Sequence, residues 1–251
     1  MVRRIHHVGI VVKRLSDAYL FYRDTLGLPL IKEAEIADQG VRAALLAAGD
    51  SEIELLEPAS PHTGIGRFLA KRGEGLHHVC FDVPELTTAL RDLTARQVAL
   101  LDTVPRRGLA GQIAFLHPKA CAGVLVELAT PDPSEREWNG VPLRLKRLVI
   151  GGREPKQTAE AFQALFGLSE IAMNGGLRTM LAVGRGALLV VPADEVGGTE
   201  GMVALSLVAE DFADLTAAFD QKKVRFIRGT GEVTVEPASS HGVHLHISRY
   251  E

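Results

Sequence analysis

Arg4-Ile5-His6-His7-Val8-Gly9-Ile10-Val11-Val12 reads as a short apolar strand, and the residues that follow lead it into a helix. Lys13-Arg14-Leu15 makes the turn, Ser16 is the expected N-cap, and Ala18, Phe21, Tyr22 and Thr25 recur at helical spacing. Gly27 is the expected left-handed stop. The same order returns further along the chain. Strand Leu148-Val149-Ile150 leads through a polar turn to Ala159, Phe162, Leu165 and Phe166 at helical spacing, then to Gly167-Leu168. His7 to Gly27 and Arg147 to Gly167 each span 20 residues, at an offset of 140.

A second unit opens at Gly75-Leu76-His77-His78-Val79-Cys80-Phe81-Asp82-Val83, after which Pro84 introduces a helix with Leu86, Leu90 and Leu93 on one face. Its counterpart is Gly201-Met202-Val203-Ala204-Leu205-Ser206-Leu207, followed by Phe212, Leu215 and Phe219. Both units end alike: Pro118 precedes Glu127 by nine residues, and Pro237 precedes His246 by nine. The chain is therefore four strand–helix–strands units in two pairs. Pro131-Asp132-Pro133-Ser134-Glu135-Arg136-Glu137 is polar and carries two prolines. The expected domains are a first pair over 1–130, a linker over 131–140 and a second pair over 141–251.

Short β-rich runs fill the rest of each unit: Val41 to Ala48 and Glu52 to Leu56 in the first, Gln112 to Leu116 and Val124 to Leu128 in the second. One helix against an antiparallel-rich sheet is an α+β module. At about 60–70 residues such a module is marginal alone, so modules should pack in pairs.

Composition narrows the function. The 251 residues are 46% hydrophobic and 24% charged, with net charge −3 and pI about 6.3. That balance supports a folded core and gives no electrostatic footprint for nucleic acid or an anionic membrane. Two distant cysteines, Cys80 and Cys121, argue against a disulfide framework or a thiolate zinc site and suit a reducing cytoplasm. No apolar run is long enough for a membrane span, and the histidine-interrupted start is not a signal peptide, so a cytoplasmic protein is expected.

His7 and His78 occupy the same place in the first two units, and Glu54 and Glu127 correspond in their last strands. Glu127 interrupts an otherwise apolar strand. A carboxylate buried there costs several kcal/mol unless a cation or donor meets it. Two imidazoles and one or two carboxylates suit a divalent Mn, Co, Fe, Ni or Zn ion, with ligands drawn from four strands.

These stretches, together with Phe21-Tyr22, Gln39-Gly40-Val41, Ile53-Glu54-Leu55-Leu56-Glu57-Pro58 and Phe115-Leu116-His117-Pro118-Lys119, resemble the methylmalonyl-CoA epimerases. That family belongs to the vicinal oxygen chelate group, with glyoxalase I and the extradiol dioxygenases. The resemblance covers residues 4–130 and implies βαβββ modules cupped around one divalent ion. It implies His7, His78 and Glu127 as ligands with Glu54 at a fourth position. It also implies interconversion of the C2 epimers of methylmalonyl-CoA through a metal-stabilised enolate. Inversion needs acid–base groups on both faces of the carbon, and Glu127 and Glu54 are the candidates. Some relatives place a further carboxylate three residues after the glycine of Gln-Gly-Val; here that residue is Ala43. His6 and His77 alternate to the other strand face and are expected to be structural. Arg106, Arg107 and Lys119 are candidates for the phosphates of an acyl-CoA, against a plain surface role.

The second pair carries Arg147, Leu188, Ala204 and His246 where the first has His7, Glu54, His78 and Glu127, so it is expected to be metal-free. His244 and His246 share a strand face without an obvious carboxylate partner, and Arg147 with His246 could hold an anion. The four modules suit a monomer acting as a pseudo-dimer, or a homodimer. Rival readings are a glyoxalase I-like lyase, an extradiol-type dioxygenase and a non-enzymatic ligand-binding protein. The dioxygenase reading is disfavoured because in that branch the metal sits in the C-terminal pair.

Overall fold

The computed structural model describes residues 2–132, 140–173 and 176–249, so 133–139 of the expected linker lie outside the described residues. The first module comprises β1 (Arg4–Val11), α1 (Leu15–Tyr22), β2 (Leu30–Ile36), β3 (Val41–Ala48) and β4 (Ser51–Pro58), followed by α2 (Gly64–Arg72). The second comprises β5 (Gly75–Asp82), α3 (Leu86–Ala95), β6 (Arg106–Gly108), β7 (Gly111–Leu116) and β8 (Val126–Thr130). The third comprises β9 (Leu143–Gly152), α4 (Pro155–Phe166), β10 (Ser169–Ile171), β11 (Thr179–Val183) and β12 (Gly186–Pro192). The fourth comprises β13 (Gly201–Ala209), α5 (Phe212–Gln221), β14 (Phe226–Arg228), β15 (Glu232–Val235) and β16 (His244–Ser248). All four are βαβββ, as the repeat requires. The strands hydrogen-bond in the orders β2-β3-β4-β1-β5-β8-β7-β6 and β10-β11-β12-β9-β13-β16-β15-β14. Both sheets are mixed, since β5 runs parallel to β8 and β13 to β16 while the hairpin strands pair antiparallel.

The helices bury the residues their spacing marks: Leu86, Leu90 and Leu93 in α3, and Ala159, Phe162, Leu165 and Phe166 in α4. Gly167 ends α4 in the left-handed region at φ +68°. The start of α1 departs from expectation. Arg14, not Ser16, is the N-cap and makes no side-chain cap. Instead the Leu15 N–H donates to the Glu57 carboxylate of β4 at 2.6 Å, so a residue 42 positions later satisfies the helix end. The helix stops at Tyr22, and Gly27 closes the turn beyond it at φ +71°.

The chain forms two compact units, and each takes modules from both halves of the sequence. One is Met1–His7, His78–Arg136 and Arg147–Val203. In it the Arg96 guanidinium at the end of α3 donates to the Ala164 carbonyl at 2.7 Å and to that of Leu165 at 3.4 Å, answering the C-terminal dipole of α4. Phe81 and Phe166 meet edge-on with ring centres 5.0 Å apart. The other unit is Val8–His77, Glu137–Lys146 and Ala204–Glu251. There Phe21 of α1 stacks on Phe219 of α5 at 6.4 Å, and the fully buried Tyr22 hydroxyl donates to the Ser240 carbonyl at 2.9 Å. A buried hydroxyl needs such a partner, because an unmet one costs about 1–3 kcal/mol. Among the described residues no helix is long and apolar enough to cross a membrane.

Candidate metal centre

β1 is buried along nearly its whole length, which leaves His7 at 0% exposure. His78 on β5 and Glu127 on β8 are buried at 2% and 4%. The parallel register sets Cys80 opposite Glu127, which brings the carboxylate beside the strand that carries His78. The Nε2 atoms of His7 and His78 stand 3.0 Å apart. Glu127 turns one oxygen to each imidazole, Oε1 at 3.7 Å from His7 and Oε2 at 3.8 Å from His78. All three residues belong to the same compact unit. Glu54 of β4, which belongs to the other unit, is buried at 5% exposure. Of the four residues picked out by repeat symmetry, His7, His78 and Glu127 meet within one unit.

The set fits a divalent ion. Two nitrogens bound at about 2.1 Å and at right angles lie about 3.0 Å apart, and imidazole with carboxylate suits first-row metals. Burial first, then the charges of His6, His78 and Arg4, holds the His7 imidazole well below its ordinary value of 6.5. His7 is therefore neutral near pH 7, the form that binds a metal.

Beside the centre, Phe115 pairs with Glu127 across β7 and β8 and meets His78 edge-on at 5.4 Å. Asp102 accepts the Phe115 N–H at 2.9 Å and the Arg106 Nε–H at 3.1 Å, and the Arg106 guanidinium lies 5.4 Å over the Phe115 ring. Arg106 thus reaches the centre through Phe115, a link that spacing alone did not reveal. Arg107 is exposed on β6, and Lys119 is exposed in the turn Pro118–Cys121. Ala43 is fully buried on β3, in register with Leu56. His77 lies edge-on to Phe68 at 4.9 Å.

In the second half the equivalent positions hold other residues. Arg147 pairs with Ala187, Leu188 is fully buried, and Ala204 pairs with His244. His246 takes the register place of Glu127, opposite Ser206, and its Nδ1 lies 3.1 Å from the Thr234 hydroxyl.

Residues 6–116 match the model of the Glyoxalase/Bleomycin resistance protein/Dioxygenase superfamily, the class that this fold and site define. The mitochondrial methylmalonyl-CoA epimerase of Mus musculus is 37% identical over 127 residues, 50% of this chain and 71% of the mouse protein. The crystal structure of methylmalonyl-CoA epimerase from Mycobacterium tuberculosis is 40% identical, with 53% of this chain and 90% of that one covered at a TM-score of 0.51. Within the superfamily, the chain belongs to the methylmalonyl-CoA epimerase family. A mutant 4-hydroxymandelate synthase from Streptomyces coelicolor, 16% identical, covers 98% of this chain at a TM-score of 0.72, with 92% of its own length covered. That likeness shows the same fold over the full four-module length.

Proposed function

We propose that this chain interconverts the two C2 epimers of methylmalonyl-CoA at a divalent metal centre held by His7, His78, Glu127 and Glu54. The observation that carries the reading is the buried pair of imidazole nitrogens 3.0 Å apart with the Glu127 carboxylate beside both, in a chain of this family.

Breaking the C2–H bond leaves the electron pair shared with the thioester carbonyl, so negative charge grows on its oxygen. A divalent ion held here supplies Lewis-acid stabilisation of that charge. The protein supplies the proton chemistry. Glu127, one of the residues that would hold the ion, takes the C2 proton on its carboxylate. Inversion requires a proton returned to the opposite face, and Glu54 is the other buried carboxylate of the proposed set. Ala43 offers only a methyl group for this task. The apolar strand residues around the centre exclude water, which strengthens each charge interaction. Arg106, Arg107 and Lys119 meet the phosphates of the coenzyme A moiety.

The test is to incubate the cobalt-loaded protein with (2R)-methylmalonyl-CoA in deuterated water, following deuterium at C2 and formation of the 2S epimer. Exchange with inversion, lost on chelation, is expected. No exchange with metal bound would overturn the reading in favour of a lyase acting on a thiol adduct.

A further inference from the structure

His6 sits next to His7 in the strand, where alternation should send the two side chains to opposite faces. Both are fully buried, yet their rings meet edge to face with centroids 5.1 Å apart. The Nδ1 atoms of His6 and His7 are separated by 2.9 Å, an ordinary hydrogen-bond length. A hydrogen bond between two ring nitrogens needs one proton and one lone pair. His7 points Nε2 at His78 and Glu127, and an imidazole that offers one nitrogen to a metal carries its proton on the other.

We propose that His6 is a positioning residue for the metal centre. Its Nδ1 accepts from the His7 Nδ1–H, and this holds the His7 ring with Nε2 unprotonated and aimed at His78 and Glu127. His6 then carries its own proton on Nε2. The proposal rests on His7 being a ligand, and it adds the group that fixes the tautomer and orientation of that ligand.

Cys80 is also fully buried, with Sγ within 4.8 Å of a ring nitrogen of each histidine. The three residues could be read instead as a second ion site. An ion on Nδ1 as well as Nε2 would require His7 to lose both ring protons, a charged imidazolate in a fully buried position. The hydrogen bond needs no such charge and accounts for the 2.9 Å separation. Partners that orient a metal-bound histidine are worth about 10–100-fold in metal affinity.

Three measurements test the proposal. In the metal-free wild-type protein, the imidazole ¹⁵N resonances should show His7 protonated at Nδ1. Cobalt affinity, from competition with a chelator, should fall about 10–100-fold in His6→Leu, with a changed visible spectrum of the bound ion. His6→Asn, whose side-chain oxygen can take the place of Nδ1 as acceptor, should recover most of the affinity and the wild-type spectrum.

Wild-type affinity and spectrum in His6→Leu would overturn the proposal, as would a His7 protonated at Nε2. Two cobalt equivalents in the wild type, one of them lost in both His6→Leu and Cys80→Ala, would replace it with the second ion site. If His6→Leu does not fold, the wild-type resonances and His6→Asn still decide. Absence of cobalt binding in the wild type would instead defeat the reading of the centre itself.

Discussion

Phe115 stands edge-on to His78 with ring centres 5.4 Å apart. The ring is fixed from two sides, by the Asp102 carboxylate on its backbone N–H and by the Arg106 guanidinium over its face. Arg106→Ala should raise the KM for methylmalonyl-CoA several-fold while leaving cobalt affinity unchanged. Steady-state kinetics and a cobalt titration check this. A lower cobalt affinity with unchanged KM would make Arg106 a packing residue for Phe115 and His78 only.

Glu127→Gln keeps the size of the side chain but removes its charge and its ability to accept the C2 proton. Deuterium exchange at C2 should fall by at least about 100-fold, the scale of a lost general base, and metal affinity should weaken. The far-ultraviolet circular dichroism should match the wild type. Retained turnover would remove Glu127 from both roles.

Metal binding should stabilise the fold, because the unfolded chain has no preformed site. At a cobalt concentration 100 times Kd the gain is about 2.7 kcal/mol, seen as a higher Tm that a chelator abolishes. His78→Ala should show no such rise. An equal rise in both proteins would place the binding elsewhere.

Burial lowers the folded-state pKa of His7 below the ordinary 6.5 of the unfolded chain. Above about 6.5 neither state binds the proton, and the full stability is present. As the pH falls below that value the unfolded chain takes up a proton that the buried imidazole refuses, so stability declines toward the folded-state pKa. Urea midpoints of the metal-free protein should therefore drop between pH 7.5 and 5.5, and His7→Gln should flatten part of that drop.

Phe219 is fully buried between Phe21 and Phe226. Phe219→Ala should cost about 3–5 kcal/mol in equilibrium unfolding. Because Phe21 and Phe219 come from the first and last modules, a loss of that size would show that the two modules stabilise one another. A loss below about 1 kcal/mol would argue against it.

The four modules were legible because strand and helix periods are local signals that repeat at a fixed offset. The meeting of His7, His78 and Glu127 was legible for the same reason, since symmetry turns separate strand residues into one place. Long-range partners left no such trace. Glu57 caps α1 from 42 residues away, which no local rule could supply. Helix α2 was missed because Gly64 and Gly66 in its first turn resemble a loop; its sign was Thr63, whose hydroxyl accepts the Gly66 N–H at 3.0 Å. The meeting of His6 with His7 runs against strand alternation. The role of Asp102 depends on a hydrogen bond to Phe115 across 13 positions.

The division of the chain into units has a consequence for the order in which it is made. His7, His78 and Glu127 lie in a unit that also contains Arg147–Val203, so the ribosome releases all three long before it releases the rest of their unit. The first half must therefore wait, with Phe21, Tyr22 and Phe81 still without the partners that the second half brings. A nascent chain of about 130 residues is accordingly sticky, and a fragment cut there should self-associate, one copy covering what the missing modules would have covered. Fusing four modules into one polypeptide makes assembly an internal event, independent of protein concentration.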